Sequence, residues 1–204
     1  MTNSSEVTPL HAETAGHYQD LARSRVPAGF RGRPAWFVQL WWCVQASLFA
    51  WSPQVFYPWR SALLRLFGMQ IGKHVKVRPT ARVTYPWKVS VGDYSWIGDD
   101  VVIYSLGQIE IGRNCVVSQK CYLCAATHDH EHPAFELIAS KITIEDEVWL
   151  AADVFVAPGR QVKRGTVVGA RSSVFHDLPG GMICAGSPAK PIRPRLSDAA
   201  PQGG

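Results

Sequence analysis

The chain is poor in charge. Asp, Glu, Lys and Arg make up 18% of its 204 residues, against 47% hydrophobic, a balance that excludes an intrinsically disordered polypeptide. Cysteine is also scarce. Five cysteines do not suggest a disulfide scaffold, so free thiols in a reducing cytosol are expected. Acid is thin in the first half: residues 1–90 carry eleven Lys/Arg and three Asp/Glu, whereas 91–204 carry ten and thirteen. The net +5 is therefore +8 in front and −3 behind. A basic, aromatic front half suits an anionic membrane surface or a phosphorylated substrate. No nucleic-acid motif supports the third option. Long apolar runs are missing as well. The continuous apolar part of the front, Ala35–Trp51, falls short of the about 20 residues a transmembrane helix needs. No opening stretch joins a basic segment, an apolar run and a small-residue cleavage site, so no secretory signal is expected.

What the chain does have is a repeat. A length of 204 residues suits one domain with a real core and a terminal extension. From Ile71, steps of six give "IGKHVK", "VRPTAR" and "VTYPWK", then a two-residue step. Val91 restarts with "VGDYSW", "IGDDVV" and "IYSLGQ", and Ile111 with "IGRNCV", "VSQKCY" and "LCAATH". After a fifteen-residue interruption over 129–143, Ile144 and Val162 each open three more hexads, the last being "VFHDLP". The first position of all fifteen is Ile, Leu or Val, and the fifth is small in twelve; Trp87, Arg160 and Leu178 are the exceptions. A helix would repeat near 3.6 and a flat strand near 2. A period of six fits short strands and tight turns wound into a triangular coil, aliphatic residues inside and small ones at the corners. The glycines and acids at second positions are read as turn formers. This is the hexapeptide β-helix pattern, an all-β parallel β-helix.

The stretch "CAATHDHEHP" (124–133) then needs an explanation. Cys121 and Cys124 followed by His128, His130 and His132 have the look of a zinc ligand set. The repeat argues otherwise, because Cys115, Cys121 and Thr127 occupy fifth slots where a small buried side chain is required. A nucleophilic thiol should be partly exposed in an electropositive setting, and these slots point inward; Cys124, in a turn position, is the least constrained. His128 closes the last hexad before the interruption, at the coil's edge where a loop departs, and catalytic residues favour loops on rigid scaffolds. His130 and His132 have no such support.

Ahead of the repeat, residues 34–59 carry no charge and hold Trp36, Trp41, Trp42, Trp51 and Trp59. Arg31 and Arg33 precede them; Arg60 and Arg65 follow. Pro53 and Pro58 are expected to break whatever begins there, and "SALLRLFG" to form a short helix with Ser61 as N-cap and Gly68 as stop. Two readings stand: a cap over the open end of the β-helix, or an interfacial anchor with Trp and Arg at headgroup level. The expected organisation is an N-terminal lead and aromatic cap over 1–70, the β-helix over 71–190, and a tail over 191–204. Residues 1–30 read as a flexible lead and 196–204 as a frayed end.

On the segments 41–68, "CAATHDHEHPAFEL", "VWLAADVFVAPG" and "AGSPAKPI", the chain resembles the left-handed β-helix acyltransferases, nearest the sugar O-acetyltransferases of the colanic-acid biosynthesis type. The resemblance implies an acetyl-CoA-dependent O-acetyltransferase acting on a sugar hydroxyl of a polysaccharide precursor, with His128 as general base in a cleft between subunits of a homotrimer. It places Trp149, Ala152, Ala170, Phe175, His176, Lys190 and Arg193 along the CoA groove, with Lys190 and Arg193 suited to phosphates. His176 stands where the family often has lysine. No metal is implied. The family's acceptor-binding Asn and Asp would fall on Gly98 and Leu106, so the acceptor must be held differently. The acceptor is expected to be a sugar or lipid-linked oligosaccharide, the location cytoplasmic, with peripheral contact on the inner membrane face. Transfer to another small acceptor, such as serine or an amino sugar, and a non-catalytic scaffold are the alternatives.

Overall fold

The computed structural model describes residues 18–196; the parts of the lead and tail in 1–17 and 197–204 lie outside the described residues. The chain bends about every six residues, and three bends close a coil. The first coil holds β1 (Gln70–Ile71), β2 (Lys76–Val77) and β3 (Arg82–Val83). The second holds β4 (Val89–Val91), β5 (Trp96–Ile97) and β6 (Val102–Tyr104), the third β7 (Ile109–Ile111), β8 (Val116–Val117) and β9 (Tyr122–Cys124). The chain then leaves the coil as a hairpin of β10 (Ala126–His128) and β11 (Leu137–Ala139). It resumes with β12 (Ile142–Ile144), β13 (Trp149–Leu150) and β14 (Phe155–Val156), then β15 (Gln161–Val162), β16 (Val167–Val168) and β17 (Ser173–Val174). A sixth turn begins with β18 (Met182–Gly186), on which β19 (Ala189–Pro194) folds back antiparallel.

Equivalent strands of successive coils pair in parallel, making three sheets: β1-β4-β7-β12-β15, then β2-β5-β8-β13-β16 extended by β18 and β19, then β3-β6-β9-β14-β17. The expected hexapeptide β-helix, with its short helical N-terminal extension, is the fold.

The hexads explain the core. Fourteen of the fifteen first-position side chains are buried; Ile71, at the open end, is half-buried. Each buried aliphatic contributes about 1.5–3 kcal/mol. Fifth positions behave likewise at Ser95, Cys115, Cys121, Thr166 and Ser172, all 1% exposed or less. Thr127 departs from the expectation: it is exposed, because the chain has already left the coil at Ala126. The excursion thus starts earlier than 129 and rejoins the first sheet at Ile142. The two-residue steps are part of the packing: Val89 and Ile109 point inward with Val91 and Ile111, one strand pleat apart.

Turn chemistry sits elsewhere than expected. Fourth positions, not second, take the left-handed conformation, as at Asp100 (φ 56°), Asn114 (φ 54°) and Lys120 (φ 61°). Second-position glycines answer to sterics instead. A Cβ on Gly92 would lie 2.5 Å from the Arg113 nitrogen of the next coil.

The front segment folds over the first coil as α1 (Ala35–Val44), a π-helical stretch Gln45–Phe49, and α2 (Tyr57–Leu66). Trp41, Phe49 and Leu64 are fully buried, and Trp41 Nε1 donates to the Val83 carbonyl at 2.8 Å. This is a cap. Pro58 lies in the first turn of α2 rather than breaking it, since proline lacks only a donor that the helix start leaves unpaired. Ser61 is therefore a buried mid-helix residue, not the N-cap. Gly68 (φ 91°) does end the helix. Within the expected lead, the Asp20 nitrogen donates to the Pro133 carbonyl of the excursion, and Lys88 Nζ to the Phe30 carbonyl. Among the described residues no helix is long and apolar enough to cross a membrane.

Candidate active site

His128 ends β10, which pairs with β11 in the register Ala126↔Ala139, Thr127↔Ile138 and His128↔Leu137. The hairpin's neck is closed by the Ser140 nitrogen donating to the Ala125 carbonyl at 3.0 Å. Its tip is ordered by the Asp129 carboxylate, which accepts from the Glu131 and His132 nitrogens at 3.0 and 3.2 Å. Phe135 is held in the left-handed region (φ 49°), an arrangement that persists only where neighbours over-determine it. Its nitrogen donates to the His132 carbonyl, and the Asp129 nitrogen to that of Glu136.

This loop aims one carbonyl at one imidazole. His128 Nδ1 lies 2.8 Å from the Phe135 carbonyl oxygen, and the two rings stack at 4.2 Å with planes 6° apart. A carbonyl can only accept, so Nδ1 carries a proton, and in the neutral ring that tautomer leaves the lone pair on Nε2. The half-buried imidazole is thus held in one rotamer by the hydrogen bond and the stacked ring. His130 is exposed, and His132 Nδ1 accepts from the Ala134 nitrogen at 3.3 Å, so the latter braces the loop.

The cysteines pack. Cys115 and Cys121 are fully buried and donate to the Glu145 and Ala151 carbonyls at 2.9 and 3.0 Å. Burial pushes each thiol up to about 11 from an ordinary 9.0, the opposite of an activated nucleophile. Cys124 Sγ donates to the Ala126 carbonyl. Among the described residues no three His, Cys, Asp or Glu side chains converge as a metal site.

The residues expected along the CoA groove fall into neighbouring groups. Ala152 and Ala170 stack one coil apart between the second and third sheets, tied by the Arg171 nitrogen donating to the Ala152 carbonyl at 2.9 Å. A Cβ on Gly169 would lie 3.0 Å from that of Ala185, whose antiparallel partner is Lys190. The β18–β19 ribbon therefore flanks the alanine corner, with Lys190 and Arg193 exposed and without ion pairs among the described residues. Phe175 and exposed His176 follow β17; Phe175 continues an aromatic ladder through Phe155 and Tyr122 to Tyr104. Trp149, half exposed on the second sheet, leans back to donate to Ser118 Oγ at 3.0 Å.

At the two positions matching the family's acceptor contacts, the departure has a structural form. Gly98 has no room for a side chain, since a Cβ would lie 2.7 Å from the Gln119 nitrogen, and Leu106 is buried. Beside Gly98 runs a groove of about 330 Å3 lined by Tyr57, Lys76, Arg78, Trp96, Asp99 and Ser118. Arg78 Nε pairs with the Asp99 carboxylate at 2.8 Å, and Lys76 Nζ sits 4.5 Å above the Trp96 ring. Trp96 and Trp149 flank Val116 in register on the second sheet. Sequence reasoning missed this groove, although both tryptophans occupy sixth positions, which face outward.

Comparison with known proteins agrees with the fold and the motifs. No family model matches the chain. The chain is 58% identical over 178 residues to the Escherichia coli (strain K12) protein described as a colanic acid biosynthesis acetyltransferase, WcaF, covering 87% of this chain and 98% of that one. It is 26% identical over 137 residues to the galactoside O-acetyltransferase of the same organism, covering 66% and 68%. Among solved structures, a hexapeptide-repeat acetyltransferase from Vibrio cholerae, complexed with acetyl coenzyme A, superposes with a TM-score of 0.72 at 24% identity over 79% of this chain and 88% of that one. This last likeness bears on the fold alone. The repeat, the excursion and the 58% identity together place the chain among the hexapeptide-repeat acetyltransferases of the colanic acid biosynthesis type.

Proposed function

We propose that this acetyltransferase moves acetyl from acetyl-CoA to a sugar hydroxyl of a polysaccharide precursor, with His128 as general base. The observation that carries the reading is the Nδ1–Phe135 hydrogen bond, which leaves Nε2 free to take a proton. The acceptor hydroxyl loses its proton to Nε2 as its oxygen attacks the thioester carbonyl carbon. The tetrahedral oxyanion then collapses, the C–S bond breaks, and the imidazolium returns the proton to the departing thiolate. Proton transfer of this kind is worth about 10²–10⁴ in rate, and juxtaposing two substrates supplies much of the rest. CoA lies along Ala152 and Ala170, where small side chains let the pantetheine approach the backbone, with Lys190 and Arg193 on the phosphates. The names of the relatives, a galactoside and a colanic acid acetyltransferase, support a sugar acceptor.

The acceptor occupies the groove beside Gly98, where the Trp96 face and the Arg78–Asp99 pair offer the stacking and hydrogen bonding that a sugar ring uses. On one chain His128 follows the C-terminal end of a third-sheet strand, whereas the alanine corner precedes the N-terminal ends of two others. A homotrimer that sets His128 of one copy beside the donor corner of the next completes the site, and acetyl-CoA supply makes the cytoplasm its compartment.

The test is thiol release from acetyl-CoA with a panel of sugar nucleotides and glycans. Sugar-stimulated release and a product whose acetyl is lost in mild base are expected. A base-stable product would mean an amine acceptor, and no stimulation by any acceptor would leave only a scaffold. Trp96→Ala should raise the acceptor KM about tenfold or more, with kcat less affected. An unchanged KM removes the groove from the reading.

A further inference from the structure

The cap has a second side. While Trp41, Phe49 and Leu64 close the first coil, the turn between the π-helical stretch and α2, with the helical residues flanking it, holds apolar side chains in water. Leu48 is 54% exposed, Trp51 87%, Val55 71%, Phe56 50% and Trp59 44%. Leu48, Trp51, Phe56 and Trp59 line one shared cleft of about 670 Å3, so the patch is contiguous. Soluble monomers rarely expose such patches without using them.

The exposure is held, not loose. Arg60 is fully buried beneath the turn and gathers its backbone: Nη1 donates to the Pro53 carbonyl and Ser52 Oγ at 2.8 Å, and Nη2 to the Gln54 carbonyl at 2.5 Å. Its Nε donates to the Val77 carbonyl of the first coil at 2.6 Å, which anchors the turn to the β-helix. Trp59 Nε1 donates to the Leu48 carbonyl at 3.0 Å, fixing the cleft's two walls.

We propose that this turn is a membrane-docking wedge that inserts Leu48, Trp51, Val55 and Phe56 shallowly into an anionic bilayer surface. Charge selects the partner. From Leu21 to Gly92 the sequence has no Asp or Glu and all eleven Lys/Arg of the front half; of the second-coil acids that reach this end, Asp99 is paired with Arg78 and Asp100 lies beside Trp42 and Ala50, so the cap's own charge is wholly positive and favours anionic headgroups. Exposed Arg31, Arg33, Arg65 and Lys73 lie in the same stretch. Tryptophan and phenylalanine beside cations are the side chains that settle at headgroup depth. Size decides against a protein partner, since five residues are far fewer than the about 20–30 a side in a stable protein interface. Because no described helix can span, the contact is peripheral. The tryptophans divide by role: Trp41 is core, and Trp51 is the tip.

The experiment is flotation of the full chain with vesicles of phosphatidylcholine and phosphatidylglycerol at low and high salt, beside Trp51→Asp and, separately, Val55→Asp. The wild type should float at low salt and less at high salt. Each variant should lower the partition coefficient by about tenfold or more, with thermal melting and transfer to a soluble acceptor unchanged. Failure of the wild type to float at low salt overturns the proposal, as does Trp51→Asp floating like the wild type. If neither protein floats and Trp51→Asp instead loses self-association in sedimentation, the wedge belongs to a second copy and the bilayer is excluded.

Discussion

At the scale of single residues, environment separates side chains that composition would group together. Three histidines lie within five positions, yet only His128 has a ring nitrogen committed to a fixed carbonyl. His128→Ala is therefore expected to lower transfer about 10²–10⁴-fold while leaving melting temperature and CoA affinity in place; His130→Ala should stay within a few-fold of wild type. Activity of His128→Ala near the wild-type level would remove the base. The buried thiols give a pH signature. Their folded values near 11 exceed the ordinary 9.0, so the folded chain keeps these protons to higher pH than the unfolded chain. The resulting stability is complete below about pH 9 and is lost as pH rises toward 11, on the order of 2 kcal/mol per thiol by pH 10.5. Denaturant titrations at about pH 8 and 10.5 should show that loss in the wild type and a smaller one in Cys115→Ala/Cys121→Ala.

At the scale of the coil, second and fourth hexad positions obey different constraints. A Cβ at Gly92 meets the backbone of the neighbouring coil, and two stacked backbones cannot yield as a flexible side chain would. Gly92→Ala should destabilise by about 2 kcal/mol or more. Lys120 is an exposed fourth-position residue in the left-handed region, where glycine relieves the Cβ clash but loosens the unfolded chain. Lys120→Gly should thus stay within about 1 kcal/mol of the wild type. Thermal melts of both variants check the pair, and the opposite order would return turn chemistry to the second position.

At the scale of the whole molecule, the question is which copies share a site. If His128 serves the alanine corner of its neighbour, His128→Ala and Ala170→Trp should each be inactive alone. Co-refolded in equal amounts, they should recover about a quarter of wild-type activity, because one interface in four of a random trimer joins an intact base to an intact corner. No recovery, or a monomer by light scattering, would confine the site to one chain.

The sequence alone determined the solenoid, nearly all of its interior residues and, to within three residues, the place where the hairpin leaves. Each side of the triangle is six residues long, so the requirement for an inward aliphatic recurs within a short window and is written locally. It also singled out His128, because an interruption in a regular repeat is itself a local mark. Tertiary structure decided what depends on stacking. Trp96 and Trp149 meet across Val116 only because separations of 20 and 33 residues bring them into one register, and the second separation depends on how much chain the excursion consumes. The tautomer of His128 depends on a left-handed Phe135 seven residues on, a conformation that phenylalanine does not announce. Trp41 and Trp51 stand in one uncharged run, ten residues apart, and composition treats them alike. One is buried and the other 87% exposed, because burial is set by which side of the cap meets the first coil, and that contact exists only once both have folded.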